Sequence, residues 1–563
     1  MKPYKTAALV IVMLVALASP NQSAAQHSRY RLVDLGALGG SGSFSAWGSG
    51  PSSRGLVNQY GTTVGWADTS ASDPFAAFCF YDCMVEHAFR SRHGGPLTDL
   101  GTLSANTSSA ANWISSNGLI AGVSENGNTD PFYPGLPQLH AVVWHHGNIT
   151  DLGTLEGGYQ SYAAAVNGSG QVVGAALNTT PDSNSMQSGT FWLWGGLVNY
   201  QYQTRAILWD QRNGMQDLGT LPGGTDAQAV AINDAGQVIG YSYTSSVPSP
   251  ACASSIGFPL TTGSFLWHQL GGMKDLGSLG GSCTLASDLN NAGQVVGVSA
   301  LKGDGKSHAF LWQSGMKLKD LGTLGGDNSY AGFVSDSGDI VGKADLPGAL
   351  PQNHHAILWR NRQKIDLGVL PGDSCSRAWS VNSKGQVVGN SENEKLCDVS
   401  GEHAFLWENG QMFDLDKLIP SGSSLRLSHA LAITDAGEIV GVGVPPGCPR
   451  SQDQVCGHAF VLIPCDEDDA ADSSNAPSLT PAAQGPPEHV NEKASETDFL
   501  VDRLVPDDNI YAGQPDWLRR SFATGKRCLP QGGECSNPHL PRCCPGLTCT
   551  FEGMRAHCLK HPF

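Results

Sequence analysis

The sequence predicts an all-β protein: a β-propeller of eight four-stranded blades closed by its own N-terminal strand, then a disordered linker and a small disulfide-rich domain. Three observations carry this. One motif recurs eight times between residues 30 and 463. Its least adorned period is about 45 residues, enough for four short strands and the size of one blade. The array also opens and closes on incomplete units that complement each other.

The motif is a strand ending in Asp-Leu-Gly, a Gly-Gly loop, an apolar strand, a turn containing Gly, Val-Val-Gly, and His-Ala-Phe-Leu-Trp. Its Asp positions are Asp34, Asp99, Asp151, Asp217, Asp275, Asp320, Asp366 and Asp414. In the unit after Asp275, Leu285 to Asn290 reads as the first strand and Gln294 to Val298 as the second. The intervening Asn-Asn-Ala-Gly carries the residue types of a tight type I turn. His308 to Trp312 is the third strand and Lys317 to Leu321 the fourth. In His-Ala-Phe-Leu-Trp both strand faces are mostly apolar, so both must be covered, as between neighbouring blades.

The array begins with an orphan fourth strand, Tyr30 to Leu35, and stops after an orphan third strand, His458 to Ile463. Joining them in one sheet closes a ring and removes the exposed edges of an open array. The recurring His-Ala-Phe-Leu-Trp, intact at 308–312 and 403–407, together with Asp-Leu-Gly-Thr-Leu-Gly-Gly at 320–326, resembles the HAF-repeat family of probable extracellular bacterial proteins. The resemblance covers residues 30–463 and implies export and a repeat array, without an established reaction. The chain departs from the pattern at Arg205-Ala-Ile-Leu-Trp and Gly263-Ser-Phe-Leu-Trp, where His is absent, and at Leu415-Asp416, where Gly is lost.

Residues 1–25 read as a signal peptide, with Lys2 and Lys5 before an apolar run from Ala7 to Ala18 and small residues before Gln26. The run is shorter than the roughly 20 residues of a membrane span, so the mature chain, with no span, is expected to be secreted, extracellular or periplasmic. The composition fits folded domains: 40% apolar, 15% charged, Gly 70 and Pro 32. A formal charge of −17 argues against nucleic acid as a partner.

Repeated His and Asp residues invite a catalytic reading, but eight equivalent pairs cannot all be active sites. Folding the third strand onto the fourth sets His87 against Asp99, His140 against Asp151, His308 against Asp320, His355 against Asp366 and His403 against Asp414. Arg205 then faces Asp217, Ser264 faces Asp275, and closure sets His458 against Asp34. These are read as structural hydrogen bonds. Repeated Trp144, Trp209, Trp267, Trp312, Trp359 and Trp407 are read as blade core. No catalytic residue is assigned. The Gly-Gly loops lack the residues of a phosphate loop, and no His-Glu-x-x-His helix, Gly-x-Ser-x-Gly elbow or EF-hand loop occurs, so no metal and no cofactor are assigned.

Function is expected where repetition breaks. The largest insertions, Trp66 to Glu86, Ser124 to Leu139, Ala175 to Thr204 and Tyr241 to Gly263, all fall between second and third strands. Those loops emerge on the face that also carries the Gly-Gly connections, so one propeller face is decorated and the other plain. Phe75, Phe80, Tyr81, Phe132, Tyr133, Trp192, Trp194, Tyr200 and Tyr202, outside the blade register, are the candidate ligand-binding residues, able to stack on sugar rings or anchor a protein. They equally suit packing of the loops onto the scaffold. Asp68, Asp73, Asp82, Glu86, Glu125, Asp130, Glu156 and Asp182 are candidate carboxylates for a carbohydrate-cleaving alternative, of glycoside hydrolase or lyase type. A hydrolase pair would need a separation of roughly 5 to 9.5 Å. The leading expectation is a secreted recognition protein binding an extracellular glycan or protein.

The cysteines add to this picture. Local pairing suggests Cys79 with Cys83, Cys252 with Cys283, Cys375 with Cys397 and Cys448 with Cys456, although spacing alone does not fix connectivity. Cys465 is left over. Residues 466–497 form an acidic Pro-, Ala- and Ser-rich linker, with short helices possible at 498–523. In 524–563, Cys528, Cys535, Cys543, Cys544, Cys549 and Cys558 follow the spacing C-x6-C-x7-CC-x4-C-x8-C, too dense for a segment that lacks a core to fold unstapled. The pattern resembles inhibitor-cystine-knot miniproteins, which implies Cys528–Cys544, Cys535–Cys549 and Cys543–Cys558 pairing. That family's roles make a hydrolase inhibitor or toxin in this tail a further alternative.

Overall fold

The first strand of each repeat lies innermost and packs against its counterparts on either side, so it is buried on both faces over most of its length. In blades 2, 3 and 4 these strands, Ser109–Ile114, Ser161–Val166 and Ala227–Ile232, are buried along their whole length. The computed structural model describes residues 29–44, 53–74, 84–133, 135–186, 201–249, 252, 258–348, 353–393, 403–448, 456–465, 548–552 and 555–559. The expected signal peptide, linker and helical segment lie outside these residues.

Eight four-stranded antiparallel units follow one another. Blade 1 comprises Gly39–Phe44, Thr62–Ser72, Met84–Arg92 and Thr98–Asp99, and the pattern runs unchanged through blade 7, Cys375–Val381, Val387–Glu392, His403–Glu408 and Gln411–Asp414. Blade 8 takes Arg426–Ile433, Ile439–Val444 and His458–Pro464 from the end of the array and Tyr30–Asp34 from its beginning. Tyr30 pairs with Pro464 and Asp34 with Phe460 across this seam. Blades 4 and 5 are also joined by a parallel bridge, Thr262 to Cys283.

The repeated residues now have physical reasons. In Val-Val-Gly the glycine lies against a bulge of the innermost strand: a Cβ on Gly240 would sit 2.0 Å from the Gln228 carbonyl oxygen and 2.6 Å from the Phe265 ring. In the Gly-Gly loop, Gly223 has φ +89°, and a Cβ on Gly224 would sit 1.8 Å from the Tyr243 carbonyl oxygen. Of the repeated tryptophans, Trp144, Trp312, Trp359 and Trp407 are buried, whereas Trp209 and Trp267 are only partly so.

The His–Asp clamps form at 2.8–2.9 Å in His87–Asp99, His140–Asp151, His308–Asp320 and His355–Asp366, with Arg205–Asp217 at 2.8 Å. The register differs from simple opposition. Asp320 stands opposite Phe310, and His308, two residues away on the same strand face, reaches along the sheet to it. This shift explains one correction. Gly263, not Ser264, holds the His position of blade 4; a Cβ there would meet Asp275 Oδ1 at 3.7 Å, while the Ser264 hydroxyl is buried on the other face with no partner. A second correction is that His403 bonds Asp373 at 3.1 Å rather than Asp414. Where Gly is lost, Asp414 instead caps the short 3-10 turn Leu415–Lys417 and pairs with Lys417.

A belt of asparagines ties the plain face together. Asn167, Asn233 and Asn290 each donate a side-chain N–H to the turn carbonyl of the next blade, at 3.1, 3.1 and 2.9 Å. The turn composition pointed to Asn290 for hairpin chemistry, and the clamp to the neighbouring blade was not legible there. Blade 1 breaks the pattern, because between its first two strands the chain turns inward. There Ser53–Gly55 lies on the ring's axis. Arg54 spans the channel, bonding both Asp288 carboxylate oxygens (3.1 and 2.9 Å) and the Val334 carbonyl, with Phe333 under its guanidinium. Ser53 donates to the Trp379 carbonyl at 2.9 Å. On the plain face this plug floors a depression of about 230 Å³.

Two outcomes test this architecture. Arg54→Ala leaves Asp288, fully buried, without its charge partner and is expected to cost about 3 kcal/mol or more in a denaturant melt; a loss under 0.5 kcal/mol contradicts a structural plug. At the seam, Asp34 is pushed up by burial, but hydrogen bonds from His458 and the Gly36 N–H outweigh this and hold it below its ordinary value. His458 is raised, chiefly by its bond to Asp34. The Asp34 contribution is present above the ordinary carboxylate pKa and lost as pH falls through its lowered value. The His458 contribution is full below the ordinary value, about 6.5, and fades as pH rises through the raised one. The melting-temperature gap between the natural protein and His458→Gln is therefore expected to be wider at pH 5.5 than at pH 8.5, and an equal gap would count against the clamp.

Candidate functional site

The decorated face is built by insertions held on a rigid frame, and on it the insertions of blades 2 and 3 meet. The loop after Ile120–Thr129 is pinned by Asp130, whose backbone N–H bonds the Leu136 carbonyl and whose Oδ1 accepts from the Phe132 N–H at 2.7 Å. Gln160, from the connection between the blades, locks the loop from below. Its Nε2 donates to Asp130 Oδ2 (2.7 Å) and the Pro137 carbonyl (3.0 Å), and its Oε1 accepts from the Leu139 N–H (3.0 Å).

On this base four rings meet. Phe132 stacks on Tyr202 with centroids 4.3 Å apart and planes 18° apart. Tyr159 meets Phe132 edge-on at 4.9 Å, and Tyr133 meets Tyr202 edge-on at 6.1 Å. All four are half-buried. The Tyr133 oxygen accepts from the Gln201 N–H at 2.5 Å, and burial raises that phenol's pKa. Stacked and edge-to-face pairs of this kind contribute about 0.5–1.5 kcal/mol each beyond burial, so the cluster is pre-formed and still presents ring surface to solvent.

Three of the nine candidate ligand-binding residues, Phe132, Tyr133 and Tyr202, are thus brought together. Phe75, Phe80, Tyr81, Trp192, Trp194 and Tyr200 lie outside the described residues. Tyr159 and Gln160 were missed because the Gly-Gly loops were read as strand connections and Glu156, a candidate carboxylate, was the one residue of Glu156-Gly157-Gly158-Tyr159-Gln160 singled out. The signal was there: Tyr-Gln follows Gly-Gly where other units carry small or acidic residues.

The candidate carboxylates are mostly committed to the scaffold. Asp68, Glu86, Glu125 and Asp130 are only 6%, 8%, 1% and 1% exposed. Asp68 accepts from the Gly42 N–H at 2.6 Å, and Glu125 Oε2 accepts from the Ser108 N–H at 3.1 Å. Burial pushes the Glu125 carboxyl up to about 8, partly opposed by the Ser108 bond and reinforced by Asp73. In blade 4, burial likewise lifts Asp226 to about 6 against N–H bonds from Met186 and Thr204. Asp82 lies outside the described residues. Among the described residues no group of three His, Cys, Asp or Glu side chains is placed to hold a metal ion.

Disulfides brace the same face. Cys252–Cys283 ties the blade 4 insertion to the start of blade 5, and Cys448–Cys456 closes the blade 8 loop. Cys375 is disulfide-bonded, and its expected partner Cys397 lies outside the described residues, as do Cys79 and Cys83. Cys465 is free and exposed. In the tail, Thr548–Glu552 and Arg555–Leu559 form a hairpin that sets Cys549 opposite Cys558. Cys528, Cys535, Cys543 and Cys544 lie outside the described residues.

No family model matches the chain, and no curated protein matches it. Solved structures are similar to it at low identity. A puromycin-hydrolyzing peptidase from Mycobacterium tuberculosis shares 11% identity over 73% of this chain and 62% of its own, with a TM-score of 0.37. An oligogalacturonate lyase from Vibrio parahaemolyticus shares 10% over 71% and 91%, with a TM-score of 0.30. A gluconolactonase from Xanthomonas campestris shares 12% over 46% and 79%, with a TM-score of 0.23. The chain spans about three fifths of the peptidase's length. The class defined by the fold is the β-propeller, and among the described residues no helix is long and apolar enough to cross a membrane.

Proposed function

We propose that this is an exported recognition protein of the HAF-repeat type whose decorated face binds an extracellular glycan through the Phe132, Tyr133, Tyr159 and Tyr202 cluster. The supporting observation is the cluster itself: half-buried rings outside the repeated motif, on a loop fixed by the Asp130–Gln160 lock, with Tyr133 also packed against the blade core. Ring faces on a pre-formed platform bind the apolar faces of sugars at small ordering cost. Amide side chains stand beside it, with Asn126 bonding Gln138 at 2.8 Å and Asn178 bonding Gln203 at 3.0 Å, and such groups serve hydroxyl recognition. A cleaving enzyme is the weaker reading, because the four buried carboxylates are enclosed and three of them, Asp68, Glu125 and Asp130, accept from backbone N–H groups. Inhibition by the knottin-like tail would be a separate activity of that domain.

The test incubates the purified protein with soluble and insoluble polysaccharides and measures retention and newly formed reducing or unsaturated ends in the same tubes. Retention without release is expected, with Tyr202→Ala weakening affinity at least tenfold, about 1.4 kcal/mol, while the melting temperature stays near that of the natural protein. Release of new ends, or retention indifferent to Tyr202→Ala and Phe132→Ala, would overturn the reading.

A further inference from the structure

The plain face carries a feature that scaffolding does not explain. Between the outer parts of blades 5 and 6, Ser307–Trp312 with Lys319–Asp320 and His354–Arg360 with Gln363–Gly368, runs a groove of about 470 Å³. Its rim carries Lys317, Lys319, Arg362 and Lys364, in a protein whose formal charge is −17. All four are exposed and none forms an ion pair among the described residues, although Lys364 donates to the Thr323 carbonyl at 2.5 Å. Elsewhere the cations Arg54, Arg205, Lys306 and Arg360 are matched to aspartates. The groove's single carboxylate, Asp320, is held by His308. Below the rim the lining is apolar, with Trp359 at its base and Met316, 59% exposed, at its lip.

Four like charges around an apolar floor repel one another in the free protein and call for an anionic occupant that also carries apolar side chains. A polyhydroxylated or sulfated sugar satisfies the rim but leaves the aliphatic floor uncovered. An acidic peptide with aliphatic or aromatic anchors satisfies both. The chain contains such a segment: residues 496–508 place Glu496, Asp498, Asp502, Asp507 and Asp508 around Phe499, Leu500, Val501, Leu504 and Val505. We propose that the groove between blades 5 and 6 is the docking site for this chain's own acidic segment 496–508, which would fold the tail back onto the plain face of the propeller.

The route permits it. The last strand of blade 8 ends on the plain face, where the Cys465 N–H bonds the Arg29 carbonyl at 3.0 Å. The 31 residues from Cys465 to Glu496 can reach up to ~100 Å when fully extended. Tethering makes the encounter intramolecular, with an effective concentration near the millimolar range, so contacts individually weak in water suffice together. Exposed charge pairs are screened by salt, which makes the docking salt-sensitive.

The test uses the full-length protein and a water-soluble carbodiimide, which joins a lysine to a carboxylate only when the two touch. Linked peptides are mapped by mass spectrometry from the monomer. The expected result is amide links from Lys317, Lys319 or Lys364 to acids of 496–508, at least fivefold above links from Lys302 and Lys384, and falling toward that background in 0.5 M salt. Lys317→Glu combined with Lys319→Glu and Arg362→Glu is expected to abolish the remaining Lys364 links without moving the melting temperature. An even spread over all exposed lysines overturns the proposal. So do links that survive charge reversal, or links formed only between two molecules, which would assign the groove to a second copy.

Discussion

The pairing of Tyr30–Asp34 with His458–Pro464 is the constraint on which the rest depends. Without it, the His458–Pro464 strand of blade 8 would present an open sheet edge, and residues far apart in sequence would have no reason to meet. With it, the Ala459 N–H reaches the Ser43 hydroxyl and the Leu35 N–H reaches the Ala459 carbonyl, so both ends of the array are bound to each other and to blade 1. Closing a loop of this length costs entropy that grows only slowly with length. A five-residue strand paired along its length, plus the His458–Asp34 clamp, acts against that cost.

Closure also creates an axis, and the axis had to be filled. The innermost strands bring Asp288, Tyr330, Arg377 and His429 into the interior, where burial drives His429 down to about 4 and raises Tyr330. Arg377 lies 3.7 Å from the Trp379 ring centroid and 5.5 Å from that of Tyr330. The blade 1 excursion sets Arg54 against Asp288, so the acid buried in blade 5 is matched by a base from the opposite side of the ring.

Much of this was legible in the sequence. The period gave the blades and the orphan strands gave the closure, because a repeated unit must solve the same packing problem each time. The His–Asp clamps followed from the spacing of His-Ala-Phe-Leu-Trp to Asp-Leu-Gly, yet the assignment of Ser264 failed because a one-residue offset in a strand turns a side chain to the other face. His403 failed for a different reason: replacing Gly with Asp416 redirects the chain after Asp414 and frees Asp373 to take the histidine. Arg54 was invisible, since nothing local shows that a serine- and glycine-rich excursion enters the axis. For the ring cluster, the sequence supplied the insertions and their aromatics, but not the Gln160 lock that fixes Phe132 against Tyr202, because the lock joins residues 30 apart through the packing of two blades.

The most direct test of the closed ring is native-state hydrogen exchange at the seam. If the ring is closed as described, the paired amides of Tyr30–Asp34 exchange only through global unfolding, with protection equal to that of the innermost strand Ser329–Val334. Seam amides that exchange rapidly while Ser329–Val334 stays protected would mean an open array, and would contradict the account at its foundation.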